Sequence, residues 1–190
     1  MAIRPLTLEE LLNGLDTIRA APKGCGRLEM IVRRPVVGGR EVLEEGQLDL
    51  VEGLVGDSWT RRRSTRTKDG TRHPDMQLNV MSARAIALIA QDRACWPLAG
   101  DQLFVDLDLS TASLPPGTEL ELGTAVIQVT AQPHTGCAKF VDRFGLDAMT
   151  FVNSPVGRGL CLRGINARVV QPGRVRVGDQ VVARLSTPAA

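Results

Sequence analysis

The sequence predicts a mainly β domain, a barrel or a sandwich carrying a few helices. Three observations predict it. Short apolar or alternating runs bounded by turn residues fill the second half of the chain: "QLFVDLDL", "TELELG", "TAVIQVTA", "ARVVQPG" and "DQVVARL". Pro115-Pro116-Gly117 and Pro172-Gly173 punctuate them. No strand–helix–strand repeat and no internal period can be read, which argues against a wound parallel sheet.

The first element is an amphipathic helix in "LTLEELLNGLDTIRAAP", expected from about Leu8 to Ala20. Thr7 and Glu10 have capping-box spacing, Leu8, Leu11, Leu12, Leu15 and Ile18 form the apolar stripe, and Pro22 stops it. "APKGCG" is a linker. "RLEMIVRRP" alternates as a strand, and "VVGGREVLEEG" reads as a hairpin with a Gly-Gly turn. "QLDLVEGLVGD" is mixed and ends in Gly56-Asp57.

From Ser58 to Pro74 no hydrophobic period survives. Arg61, Arg62, Arg63, Arg66, Lys68 and Arg72 crowd this long polar loop. Loops of that length are usually functional or disordered. "MQLNVMS" then reads as a strand leading into the helix "ARAIALIAQD". Gly157-Arg158-Gly159 reads as a turn before a strand "LCLRG" that includes Cys161, and Gly178-Asp179 as a turn.

Composition narrows the function classes. The 190 residues suffice for one domain with a sizeable core, and 43% hydrophobic with 23% charged residues is ordinary for a globular chain. Aromatics make up only 3%, with no tyrosine, so the stacking platforms of single-strand nucleic-acid binders are not expected. A net charge of +2 gives no push toward DNA or a membrane. No apolar run approaches the roughly 20 residues of a membrane span. The N-terminus lacks a signal-peptide core, so the expected location is the cytoplasm.

Cys25, Cys95, Cys137 and Cys161 are widely spaced, without paired zinc-type motifs, and should be free thiols in a reducing compartment. Two histidines cannot build a His-rich metal site. Cys137 stands apart in "QPHTGCAKF", a polar, glycine-containing stretch with His134 and Lys139 close by. Two readings are open for it. It is a small buried hydrophobe, the usual fate of a free cysteine. Or it is a thiol presented on a loop, where neighbouring cations favour the thiolate that soft metals and sulfur transfer require. The other three cysteines read as structural.

The succession "GDQLFVDLDLSTASLPPGTELELGTAVIQVT", the loop cysteine and "VGRGLCLRGINARVVQPGRVRVGDQV" together resemble the MOSC domain. This is the C-terminal domain of molybdenum cofactor sulfurases, found also as stand-alone bacterial proteins and in amidoxime-reducing enzymes. The likeness runs from about Arg27 to Leu185 and rests on an ordered set: Gly56-Asp57, Pro-Gly-Thr before a strand, one loop cysteine, Gly-Arg-Gly, and Pro-Gly followed by Gly-Asp. Two departures are visible. Gly100-Asp101-Gln102 stands where the family often has Gly-Glu-Asn, and "HTG" separates Pro133 from Cys137 where the family commonly has proline directly before the cysteine.

The resemblance implies a MOSC-type β-barrel with peripheral helices, including the N-terminal one. It divides the chain into a helix and linker, 1–26, and a barrel domain, 27–190. It further implies a molybdenum-pterin cofactor, with Cys137 as molybdenum ligand or persulfide carrier and with reduction of N-hydroxylated compounds as an expected activity. An external electron donor or a partner molybdoenzyme would then be needed. Alternatives are a non-catalytic module delivering sulfur or cofactor, and a degenerate domain binding another small anion. Arginine forks suit the phosphate of such a cofactor. Arg72 and His73 are the first candidates because they abut "QLNVMS", followed by Arg158, Asn153 and Lys139.

Overall fold

The computed structural model describes residues 4–64 and 67–184. Arg66 of the basic loop and the tail from Leu185 lie outside the described residues. Two short helices open the fold, α1 (Leu8–Asn13) and α2 (Leu15–Arg19), followed by β1 (Cys25–Arg33), β2 (Glu41–Leu43), β3 (Glu45–Asp49) and β4 (Gly53–Leu54). A 3-10 turn at Ser58–Arg61 and another at Pro74–Met76 bracket the basic loop. Then come β5 (Leu78–Ser82), α3 (Ala83–Ala90), a 3-10 helix at Arg93–Ala99, β6 (Leu103–Asp106), β7 (Glu119–Leu122) and β8 (Ala125–Val129). Helices α4 (Ala138–Phe144), α5 (Leu146–Asn153) and α6 (Pro155–Gly159) precede β9 (Ile165–Gln171), β10 (Gly173–Arg176) and β11 (Gln180–Arg184).

Seven strands close a barrel in the order β11-β7-β8-β9-β5-β6-β1, and β1 returns to β11 through Cys25↔Val182 and Arg27↔Gln180. Among the described strands only β5 and β6 run parallel, because α3 lies between them as a crossover. The far half of β1 pairs instead with β2 in the expected hairpin, whose turn has Gly38 at φ +83°. A three-stranded sheet, β10-β3-β4, lies alongside.

Period-two alternation, shifted by one residue in β1 where the register breaks between Leu28 and Met30, decides which side chains fill which core. Leu28 and Ile31 of β1, Leu78 and Val80 of β5, and Leu103 and Val105 of β6 are in the barrel core. Met30 and Val32, Met81, and Phe104 of the same strands point the other way, into a second core with Ile86, Ile89 and the phenylalanines of α4 and α5. The helices are therefore clamped to the outside of the barrel by the back faces of three of its own strands.

Three expectations need correction. The N-terminal helix is broken at Gly14, where a Cβ would sit 2.6 Å from both methyl carbons of Leu88, so the chain turns there to let α3 approach. Residues 138–159, for which no helix was read, carry three. Phe140, Phe144, Ala148, Phe151 and Val152 recur at helical spacing and are all buried. Cys161 is not on a strand. Ser154 accepts a hydrogen bond from the Gly157 amide at 2.9 Å, Pro155 takes the first helical position, and the resulting α6 delivers Cys161 into a turn at φ +49°.

Candidate functional site

Two buried ion pairs organise one end of the barrel. Arg34 follows β1 directly, and Asp57 caps the turn at Ser58–Arg61. Nε and Nη2 of Arg34 donate to the two Asp57 oxygens at 2.8 and 3.0 Å, and the Arg34 backbone amide donates to Oδ2 at 2.9 Å. Nη1 of Arg34 reaches Oδ1 of Asn79 at 3.0 Å and the Gly100 carbonyl at 2.6 Å. Burial opposes ionisation of Asp57, but the Arg34 guanidinium outweighs it and holds the carboxyl below the usual carboxylate range.

The second pair joins Arg163 to Asp101. Nη1 donates to both carboxylate oxygens at 3.0 and 2.7 Å, and Nη2 to the Ala99 carbonyl at 3.0 Å. The guanidinium also lies 5.0 Å from the Phe140 ring centroid, tying α4 to the barrel. Complete burial pushes the Asp101 carboxyl upward, against the pull of Arg163. His134 Nδ1 is 3.5 Å from Asp101 Oδ1.

Between these pairs opens a cleft of about 490 Å³. Arg34, Arg40, Arg62, Arg63, Arg143 and Arg163 line it, with Arg61, Lys139 and Cys137. No carboxylate is among the residues that line it. Several of its arginines are steadied by uncharged oxygens instead: Arg40 by the Pro97 carbonyl at 2.9 Å, Arg61 by the Pro35 carbonyl at 2.6 Å, Arg62 by the Ser58 hydroxyl at 3.2 Å. Hydrogen bonds of that kind fix position without cancelling charge.

The crowding leaves an electrostatic mark. Burial lowers the pKa of Arg40, and the charges of Arg143 and Arg34 lower it further. Arg62 is pushed down to about 10, first by burial and then by Arg34. Its side chain is exposed at the cleft, so water screens part of that penalty, and the downward direction is what matters. An arginine made less basic by other arginines sits where an anion would be welcome.

Cys137 enters this cleft from a braced loop. It is the N-cap of α4, with extended backbone at φ −132° and ψ 175°, and its carbonyl receives the Phe140 amide at 2.8 Å. One residue earlier, the Gly136 amide donates to Asn153 Oδ1 at 3.0 Å, while Asn153 Nδ2 donates to the Gly136 carbonyl at 3.4 Å. A Cβ on Gly136 would meet Val152, Met149 and Asn153 at 3.1 to 3.3 Å, so α5 comes close only because that residue is glycine. Cys137 itself is exposed. Cys25 is exposed as well, so access alone does not single out Cys137.

The other sequence candidates divide. Lys139 lies in the cleft with Cys137, and so does the Arg61–Arg63 part of the basic loop. Arg72 and His73 line an adjoining pocket of about 120 Å³ that shares Arg62, Arg63 and Asn79 with the cleft. Arg72 stacks over Trp59 at 5.0 Å, and His73 Nδ1 accepts from the Asp75 amide at 3.2 Å. Asn153 braces the Cys137 loop. Arg158 is exposed, donates from Nε to the Asn153 carbonyl at 3.0 Å, and lines a different cavity. Arg34, Arg40, Arg143 and Arg163 were not read from the sequence, since each is one arginine beside a strand or helix with no local motif. Among the described residues no group of three or more His, Cys, Asp or Glu is placed to hold a metal ion.

The MOSC domain family model matches residues 67–182, more than half of the chain. The chain belongs to the MOSC domain family. Solved structures carry the same fold. The YUAD protein from Bacillus subtilis aligns with a TM-score of 0.59 at 18% identity, over 88% of this chain and 100% of that one. YiiM from Escherichia coli aligns with a TM-score of 0.53 at 20% identity, over 86% and 72%. YiiM from Geobacillus stearothermophilus gives 0.52 at 14%, over 85% and 74%. At these identities the likeness concerns the MOSC fold alone. No curated protein matches the chain.

Proposed function

We propose that this MOSC protein binds a molybdenum-pterin cofactor in the arginine cleft, with Cys137 as the molybdenum ligand. The observation that carries this reading is the juxtaposition of one exposed thiol with a group of arginines in a cleft whose lining contains no carboxylate. The donor set fits the group. Thiolate sulfur is a ligand suited to soft metal centres. Arginine forks suit a phosphate, and here their mutual repulsion would be relieved by one. Arg62, Arg63 and Arg40 would hold the phosphate end, with Lys139 on the thiol side and Arg72 and His73 reached by any extension into the adjoining pocket.

When bound, the molybdenum would supply two-electron reduction, for which N-hydroxylated compounds are the substrate class the family suggests. The protein's own contribution is positional. Asn153 fixes the backbone before Cys137, and the Arg34–Asp57 and Arg163–Asp101 pairs hold the cleft walls. A second reading follows from the exposure of Cys137: a thiol open to solvent can also carry a persulfide to a partner molybdoenzyme. Protein purified from molybdate-supplied cells should release an oxidised, fluorescent pterin on denaturation. Pterin and molybdenum both absent, with a Cys137 persulfide in mass spectra, would replace the resident-cofactor reading with the delivery one.

A further inference from the structure

A second cavity, of about 310 Å³, lies behind the loop that carries Cys137 and does not include that cysteine. Its walls are mostly apolar: Leu114, Val129, Val152 and Ile165 contribute side chains from separate elements. Small-molecule sites typically begin near this size and combine apolar walls with a few polar groups. The polar groups here are specific. Arg158 stands exposed with its Nε anchored on the Asn153 carbonyl, and no ion-pair partner is seen for it among the described residues. Arg163 is buried and lines this cavity as well as the cleft; among the described residues its Nε–H has no hydrogen-bond partner.

Cys161 completes the wall. It is a non-glycine residue held at φ +49°, a conformation that costs energy and persists where surrounding structure enforces it. Its thiol donates to the Arg158 carbonyl at 3.6 Å. Burial raises its pKa, and the nearby charge of Asp108 raises it further, so at neutral pH the cavity presents a neutral thiol there. Asp108 is itself engaged by the Ser113 hydroxyl and the Ser110 amide. A negative group in the cavity thus finds an uncharged thiol on the Cys161 side and a cation in the Arg158 side chain.

We propose that this cavity is a binding site for a small organic carboxylate, its aryl or branched aliphatic body against Leu114, Val129, Val152 and Ile165 and its carboxylate on Arg158. The site is independent of molybdenum binding in the cleft. Only Arg163 lines both, so failure of one reading leaves the other standing.

Cys161 provides the test. The purified protein is alkylated with N-ethylmaleimide in the presence of benzoate, phenylacetate or isovalerate, or of the neutral amide of each, and the labelled peptides are quantified. At least one carboxylate should slow labelling of Cys161 several-fold while leaving Cys25 unchanged, and its amide should protect less. Calorimetry with that carboxylate should show about tenfold weaker binding to Arg158→Gln, a surface change that the fold tolerates. Labelling of Cys161 that no carboxylate alters, equal protection by acid and amide, or unchanged affinity in R158Q would each overturn the proposal.

Discussion

The side-chain amide of Asn153 pairs with the backbone of Gly136 in both directions, accepting from its N–H at 3.0 Å and donating to its carbonyl at 3.4 Å. Through this pair α5 holds the residue immediately before Cys137. Each net hydrogen bond contributes about 1 kcal/mol. Asn153→Ala should therefore cost little global stability but free the loop locally. Hydrogen exchange at Gly136 should speed up markedly in N153A while the barrel strands keep their protection. Unchanged exchange there would show that packing, not the amide pair, holds the loop.

Asp57 and Arg34 make a fully buried bidentate pair at the cleft end of the barrel. Removing one partner of such a pair costs about 3–5 kcal/mol because the other charge is left buried and alone. Asp57→Ala should lower the melting temperature at neutral pH far more than an exposed pair such as Arg19–Asp16 would. The pH dependence has a definite sign. Asp57 has a depressed folded-state pKa, so its stabilising contribution is present above the unfolded carboxylate value near 4 and is lost as pH falls through the lower folded value. Melting curves of D57N should be flatter than wild type across that acid window.

Arg62 is expected to behave in the opposite way. Its charge is disfavoured in the folded protein by burial and by Arg34, so Arg62→Gln should leave the melting temperature unchanged or raise it. The same variant should bind anions less well. Losing one charge-assisted hydrogen bond, about 1.5–3 kcal/mol, corresponds to about tenfold or more in affinity. Pyrophosphate in low salt should raise the melting temperature of wild type more than that of R62Q, and added salt should shrink the difference. Arg72→Gln, in the adjoining pocket, should show a smaller loss. A strongly destabilised R62Q with unaltered pyrophosphate response would assign Arg62 to structure.

The barrel was legible because its strands announce themselves locally. "TAVIQVTA" and "TELELG" alternate, and the turns between them are spelled in proline and glycine. The helices on residues 138–159 were missed because glycines at 145, 157 and 159 and the Ser-Pro step mask a short helical period. The candidate site was half legible. Cys137 and Arg61–Arg63 stood out as an isolated thiol and a charge run, and both line the cleft. Arg40, Arg143 and Arg163 reach it from the β1–β2 hairpin, α4 and the turn before β9, a convergence that exists only once the barrel is closed.

The proposed role of Cys137 as molybdenum ligand can be read out by elemental analysis of wild type and Cys137→Ser, purified without chelators from molybdate-supplied cells, with matched circular dichroism to verify the fold. Serine offers a harder, more weakly coordinating oxygen in the same place. Wild type should carry molybdenum at a level stoichiometric with the chain, and C137S should lose it. Equal molybdenum in both proteins would remove Cys137 from the metal site.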